Sequence, residues 1–266
     1  MLTRTGKLRF VAVVLALIVL CGCFACGYKV IKHEQNQSQR ISNLEKQVSL
    51  LQAKLNATQV DWLDGGFNYL AIGNSITIHP YADYWWDDDR GMAASTDDKD
   101  YVHLIGATLP DPSKVYAYNF YTWEVQSADR AETLSLLDGY LSDKLDLVTI
   151  QLSENASDLT TFETDYEELI QYIKVGAPNA QIIVIDDFWD SGDKSLMKKV
   201  ASERENVDFV SLEEIKGKPK YQAGIGTVVY DKDGNEHTIE HDGVASHPGD
   251  KGMSYIAEVV ENVIKK

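Results

Sequence analysis

Two residues far apart in the sequence have the chemistry of a nucleophile and its base. Ser75 follows the apolar run Phe67–Ile72, and a serine hydroxyl becomes a useful nucleophile when a neighbouring base removes its proton. His247 lies in the Gly- and Pro-containing stretch Gly243–Gly252, and a neutral imidazole is the usual base near neutral pH. Alternatively, Ser75 only caps the next turn and His247 is a surface residue. Catalysis therefore requires a fold that brings the two side chains together.

The elements that must position them alternate between strand and helix. Phe67–Gly73 has the apolar character of a buried strand in a parallel sheet, and ligands bind beyond the carboxyl ends of such strands. Because strands and helices continue to alternate, we predict an α/β fold with a parallel sheet covered on both faces. Further strands are predicted at Val115–Phe120, Leu145–Leu152, Ala180–Ile185 and Val207–Leu212, helices at Tyr101–Ile105, Ala131–Leu141, Phe162–Val175 and Asp250–Lys265, and a hairpin within Gly226–Asp242.

Three short motifs occur in the order and spacing of a known family. Gly73-Asn74-Ser75, Asn155 at the end of a central strand, and His247-Pro248 before the last helix resemble the first, third and fifth blocks of the SGNH/GDSL-type hydrolases, which are serine esterases and lipases. The resemblance covers residues 65–266. It implies a three-layer α/β/α sandwich with a flavodoxin-like parallel sheet.

The resemblance also implies roles for individual residues. Ser75 would be the nucleophile, His247 the general base, and the Ser75 N–H with the Asn155 side-chain amide the oxyanion hole. Asn74 stands where the family usually has Asp, and Ser153 where it has Gly. No cofactor or metal is implied.

Two parts of the family's site have no direct counterpart in this sequence. The position three residues before His247, where the family has its acid, is Val244. Asp242 is the nearest carboxylate and the candidate to orient the imidazole, and a backbone carbonyl is the alternative. The second-block glycine is missing after the Val115–Phe120 strand, and Gly91 is a candidate for the missing amide.

The N-terminal region predicts attachment to a membrane. Phe10–Tyr28 is an apolar run of 19 residues preceded by basic residues, long enough to span a bilayer with the remainder exported. A cleaved signal peptide, or a lipoprotein signal with Cys23 lipidated, is the alternative. Residues 33–60 carry an a/d pattern of apolar residues that predicts a helical stalk, either a parallel dimeric coiled coil or an unpartnered solvated helix. We therefore divide the chain into 1–32 (anchor or signal), 33–60 (stalk) and 61–266 (hydrolase-type domain).

Composition restricts the function classes. Residues 61–266 contain 17 Lys and Arg against 39 Asp and Glu, which argues against nucleic acid as a ligand. The three cysteines all lie between positions 21 and 26. The predicted domain therefore has neither a disulfide nor a thiol nucleophile.

Three other features were weighed as sites. His237-Thr238-Ile239-Glu240-His241 fits a zinc-binding pattern, but turn signals on both sides place it in a hairpin rather than the helix that the pattern needs. Tyr81–Asp89 is acidic and aromatic, typical either of a sugar-binding surface or of a lid packed on the domain. A calcium site at Asp87, Asp88 and Asp89 lacks the usual ligand alternation.

These observations together predict a membrane-tethered, extracytoplasmic serine esterase that acts on short acyl esters. O-acetyl groups of a polysaccharide are the expected substrate. A lipid or lysophospholipid esterase is the alternative within the class, and a noncatalytic binding module is the alternative outside it.

Overall fold

The computed structural model describes residues 59–189 and 192–265, together with residues 32, 37, 40 and 41. The chain divides into two units, Met1–Asn56 and Ala57–Lys266, and the strands and helices given below belong to the second. The predicted membrane segment, and the predicted stalk except for three of its residues and its last two positions, lie outside the described residues and stay predictions. Within the described residues, no helix combines the length and apolar character needed to cross a bilayer.

A five-stranded parallel sheet forms the centre of the second unit. Its order is β2-β1-β3-β4-β5, the flavodoxin-like order of doubly wound folds. This confirms the predicted parallel α/β fold. The strands are β1 (Phe67–Gly73), β2 (Ser113–Asn119), β3 (Leu147–Gln151), β4 (Gln181–Ile185) and β5 (Asp208–Val210).

Helices pack against the sheet because alternate strand residues on both of its faces are apolar and buried. On one face, Tyr69 and Ala71 of β1 belong to a buried cluster that includes residues of α1 and α7. Leu70 and Ile72 alternate with them and are also buried. The helices are α1 (Tyr101–Gly106), α2 (Tyr121–Val125), α3 (Arg130–Thr133), α4 (Phe162–Gly176), α5 (Asp193–Glu205), α6 (Asp242–Ala245) and α7 (Asp250–Glu261).

The predicted hairpin is confirmed, and several predicted helix bounds are wrong. An antiparallel pair forms from β6 (Val228–Tyr230) and β7 (Glu236–Thr238). The helix predicted over Ala131–Leu141 is only α3, followed by a 3-10 turn, Leu134–Leu137. In that turn Leu134 and Leu137, three apart, are both buried, which matches the repeat of the tighter helix. The predicted loops after β2 and before the last helix contain the short helices α2 and α6.

The ends of three neighbouring strands, β2, β1 and β3, are level with one another. Gly73 at the end of β1 lies opposite Asn119 of β2 and Gln151 of β3. A Cβ at Gly73 would overlap the Thr77 side chain and lie 2.9 Å from the Gln151 carbonyl oxygen, so only glycine permits the tight turn that follows β1. As a result, the segments following β1, β2 and β3 meet at one edge of the sheet.

Candidate active site

Ser75 lies on a rigid turn directly after β1. The Asn74 carbonyl oxygen accepts hydrogen bonds from the Thr77 and Ile78 amides, both at 3.0 Å, and Asn74 Oδ1 accepts from the Ile76 amide at 3.0 Å. The Ser75 carbonyl oxygen accepts from the Met92 amide at 2.8 Å. These bonds fix the backbone that presents the Ser75 hydroxyl to a cleft of about 740 Å³.

His247 is 172 positions later in the sequence, and its side chain contacts the same hydroxyl. Its Nε2 lies 2.8 Å from Ser75 Oγ, within the distance over which a base can remove the serine proton. Both side chains line the cleft. This geometry is the one that a serine nucleophile and its general base would need.

A backbone carbonyl, the second of the two predicted alternatives, contacts the imidazole, and Asp242 does not. His247 Nδ1 lies 2.7 Å from the Gly243 carbonyl oxygen, so Nδ1 carries the proton and Nε2 is free to accept one. Asp242 is exposed at the first position of α6, and within the described chain its carboxylate makes no hydrogen bond to His247. The helical turn explains the difference, because it brings the carbonyl four residues before the histidine onto its ring.

The environment of His247 favours the neutral ring. Burial lowers the pKa of His247 to about 4, the Gly243 hydrogen bond opposes that shift, and the nearby His79 adds to it. The edge of the ring meets Trp189 at a centroid distance of 4.9 Å and 87°, and Trp189 Nε1 donates to the Ser246 carbonyl oxygen at 2.9 Å. His247 is therefore unprotonated, as a base must be, well below neutral pH.

Asn155 follows β3 and shares the cleft with Ser75. It lines the cleft, and its Nδ2 donates one hydrogen bond, at 2.7 Å, to Glu124 Oε2. An amide has two N–H groups, so one remains for a ligand. In the part of the chain that the structure describes, the Ser75 N–H also has no internal acceptor. Two donors are thus available near the hydroxyl, as an oxyanion site requires.

Gly91 does not supply a further donor. Its amide donates to Asp100 Oδ2 at 3.0 Å and is therefore already used. Tyr121 and Thr122, which begin α2 directly after β2, line the cleft at the place in the chain where the missing second-block glycine was expected.

These positions decide the architecture. The nucleophile candidate follows β1, the amide follows β3 and the histidine precedes the last helix, on a flavodoxin-like sheet. This order of segments on the sheet is the one that the resemblance to SGNH-type hydrolases implies.

Comparisons with known proteins give the following similarities. No family model matches the sequence, and no curated protein matches it. Among solved structures, an extracellular lipase from Streptomyces rimosus is similar with a TM-score of 0.47 and 14% identity, over 74% of this chain and 99% of the lipase. A family two carbohydrate esterase from Clostridium thermocellum is similar with a TM-score of 0.46 and 16% identity, over 75% of this chain and 63% of the esterase chain. A two-domain esterase active on acetylated mannans is similar with a TM-score of 0.44 and 17% identity, over 82% of this chain and 51% of the esterase chain.

The aromatic segment Tyr81–Asp89 divides between core and cleft. Trp85 is fully buried with the Arg90 guanidinium over its ring at 5.2 Å. Trp86 stacks on His237 at 4.5 Å. Of the three large rings predicted here, Tyr84 is the one that lines the cleft, where it stacks on His241 at 4.8 Å.

The residues weighed as metal ligands have other partners. His237 Nε2 lies 2.9 Å from Asp231 Oδ2, and His241 Nδ1 accepts from the Gly243 amide at 3.1 Å. Near the aromatic segment, the Arg90 guanidinium lies 3.2 Å from Asp87 and 2.6 Å from Asp97. An arginine between two carboxylates already supplies their counter-charge.

Sequence reasoning missed two residues at the site, Glu124 and Trp189. The sequence predicts a loop around Glu124 and gives no role to Trp189. Only the absence of a glycine after β2 pointed to an unusual segment around Glu124. Nothing local to Trp189 indicates that it would contact a histidine 58 positions later.

Proposed function

We propose that this protein is a serine hydrolase that cleaves carboxylic esters through an acyl-enzyme. The observation that carries the proposal is the 2.8 Å contact between Ser75 Oγ and His247 Nε2, in a cleft with unoccupied amide donors. A surface serine and histidine without a shared role have no reason to be aligned in this way, with the second ring nitrogen held by a carbonyl.

The geometry suggests the following sequence of steps. Ser75 Oγ attacks the ester carbonyl carbon while His247 Nε2 takes the hydroxyl proton, and the carbonyl oxygen becomes an oxyanion bound by the Ser75 N–H and Asn155 Nδ2. The imidazolium is stabilised through Nδ1–H and the Gly243 carbonyl oxygen. His247 then protonates the leaving alcohol oxygen as its bond to the acyl carbon breaks. Water next attacks the acyl carbon while His247 Nε2 takes its proton. As the bond between the acyl carbon and Ser75 Oγ breaks, His247 returns that proton to Oγ, which releases the acid and restores Ser75.

For substrate, we propose a short acyl ester on a sugar, with O-acetyl polysaccharide as the class. Two exposed rings at the cleft support this, Tyr84 and Tyr121, with 41% and 49% of their surface accessible. Aromatic faces pack against sugar rings, and the Asn119 and Thr122 side chains in the same lining can bond hydroxyls. We further propose that residues 10–28 tether the domain outside the membrane and that residues 33–60 form a stalk that can pair two chains.

The test is hydrolysis of p-nitrophenyl acetate by the full-length protein and by Ser75→Ala. We expect the wild type to release nitrophenolate and to be labelled by a fluorophosphonate, and the variant to do neither. Equal hydrolysis by both proteins would refute the nucleophile. A folded wild type that neither hydrolyses nor reacts with the label would favour the noncatalytic binding module. Acetate release from acetylated polysaccharide, compared with fatty acid release from lysophospholipid vesicles, separates the two substrate classes.

A further inference from the structure

A fully buried carboxylate lies under the proposed oxyanion site. Glu124, in the five-residue helix α2, has no accessible surface. Within the described residues no lysine, arginine or histidine forms an ion pair with it. Arg130 donates to the Glu124 backbone carbonyl oxygen at 3.4 Å, and its guanidinium pairs with Asp165 at 2.7 Å.

Nitrogen donors from two catalytic segments surround this carboxylate instead. Oε1 accepts from Asn74 Nδ2 at 3.0 Å, from the Ser153 amide at 2.5 Å and from the Asn155 amide at 3.4 Å. Oε2 accepts from Asn155 Nδ2 at 2.7 Å. Burying a carboxylate is costly unless it is hydrogen-bonded, and these bonds to an anion are stronger than those between neutral groups. Glu124 thus ties the segment after β1 to the segment after β3.

Asn74 and Ser153, which differ from the usual residues of the SGNH blocks, both contact this carboxylate. Asn74 stands where the family usually has Asp, and its amide can donate to Glu124 where an aspartate would repel it. Ser153 stands where the family usually has Gly and keeps a left-handed backbone with φ of 138°, a conformation that costs a non-glycine residue free energy. Its amide is held by Glu124, and its hydroxyl donates to Asp187.

We propose that Glu124 is the positioning residue of the oxyanion site, an inference that rests on the proposed esterase activity. Its Oε2 uses one N–H of the Asn155 amide and so directs the other toward the cleft. Its Oε1 holds the Asn74 side chain, and with it the turn that carries the Ser75 N–H. Glu124 touches no reacting atom and acts only through these two donors.

The test is Glu124→Gln, in which the side chain keeps its shape but turns an N–H group toward donors that already need an acceptor. Because the Asn155 amide would lose its fixed orientation, we expect kcat for p-nitrophenyl acetate to fall about 10- to 100-fold with KM within about threefold. A folded variant with unchanged or higher kcat would overturn the inference.

A double-mutant cycle distinguishes positioning from general loss of structure. If Glu124 acts through Asn155, then Glu124→Gln should cost little more kcat in an Asn155→Ala background than Asn155→Ala alone. Independent, multiplying losses would refute that route. Asp186→Asn is the matched control, because Asp186 is a buried carboxylate that also accepts backbone amides, from Asp187 and Leu212, but does not line the cleft. It should lower Tm and keep kcat.

The two proposals fail separately in this experiment. If the wild type hydrolyses the ester and Glu124→Gln does so equally well, only the positioning role fails. If the wild type hydrolyses no ester, the proposed function fails and the role of Glu124 fails with it.

Discussion

The two sides of the proposed catalytic centre are held in opposite ways. On the base side, His247 has a single carbonyl partner for Nδ1 and a T-shaped contact with Trp189, and none of the described carboxylates is bonded to it. The other side, where the ester oxygen would be bound, is called the acceptor side. There Asn155 and Ser153 donate hydrogen bonds to the buried carboxylate of Glu124. In the described domain, a buried carboxylate therefore lies beside the oxyanion donors, whereas His247 is bonded only to a neutral carbonyl and to Ser75.

Deeper on the acceptor side, further buried charges continue the same network. Lys198 and Asp187 are both inaccessible and lie 2.8 Å apart. Lys198 Nζ also donates to the Ile185 carbonyl oxygen at 2.7 Å and to Ser153 Oγ at 3.2 Å. Desolvation therefore sets the pKa of the base, whereas a network of charged hydrogen bonds sets the geometry of the acceptor side.

Removing the imidazole from the base side should cause the largest loss of activity. We expect His247→Ala to lower kcat/KM by at least about 10³-fold, because among the residues of the described domain no other base contacts Ser75. Asp242→Asn, at the position where sequence reasoning placed the acid, should stay within about twofold of wild type. Steady-state kinetics on p-nitrophenyl acetate measures both. A large loss in Asp242→Asn would show that a carboxylate contributes to the base side after all.

The buried pair on the acceptor side should matter chiefly for stability. Lys198→Met leaves Asp187 buried without its cation, and we expect the free energy of unfolding to fall by about 3–5 kcal/mol. Lys199→Met is the matched control, since Lys199 is exposed on the same helix, and should change stability by less than about 0.5 kcal/mol. Urea unfolding followed by circular dichroism measures both. Equal stabilities for the two variants would contradict the importance of the network.

The base side should show itself in the dependence of activity on pH. Because the base must be neutral, the rate falls only as pH drops through the pKa of His247, which burial lowers to about 4. At pH 5.5 an ordinary histidine would be about nine-tenths protonated, whereas here kcat/KM should remain near its value at pH 7.5. A midpoint near 6.5, in protein shown to stay folded at each pH, would contradict the role of desolvation.

The same shift has a consequence for stability, and its sign follows from linkage. Between about pH 6.5 and 4 the unfolded chain binds a proton at this histidine that the folded chain does not. The contribution of the buried neutral ring to the free energy of unfolding is therefore present above pH 6.5 and is lost as pH falls toward 4.

The sequence predicted the parts of this site that depend on strand order and not those that depend on side-chain contacts. Ser75, Asn155 and His247 follow or precede elements recognisable from apolar pattern, and parallel strands bring such positions to one edge. The His247 partner was ambiguous because Asp242 and a backbone carbonyl are equally near in the sequence, and only the helical turn of α6 selects Gly243. Glu124 was missed because a lone carboxylate in a predicted loop carries no sign that Asn74, Ser153 and Asn155, from two other segments, will bond it.

Trp189 offers a smaller and more specific change to the base side. Replacing it with alanine lets water reach the His247 ring, so the midpoint of the kcat/KM profile should rise from about 4 toward 6.5 while kcat at neutral pH changes little. Trp86→Ala is the matched control, because it also removes an indole from a histidine ring, that of His237, outside the catalytic centre. Identical profiles for both variants would mean that Trp189 does not exclude water from the base.

The smallest effects are expected at the rim, where each side of the centre contributes one exposed ring. Tyr84 stacks on His241 near the base side, and Tyr121 begins the helix that carries Glu124. If these rings hold a sugar chain, Tyr84→Ala and Tyr121→Ala should raise KM for acetylated polysaccharide by about 3- to 10-fold, since each ring contact contributes on the order of 1 kcal/mol, and should leave KM for p-nitrophenyl acetate unchanged. Tyr230→Ala removes an equally exposed ring on the β6–β7 hairpin and should change neither KM. Parallel rises for both substrates would indicate instead that the rings only shape the cleft around Ser75.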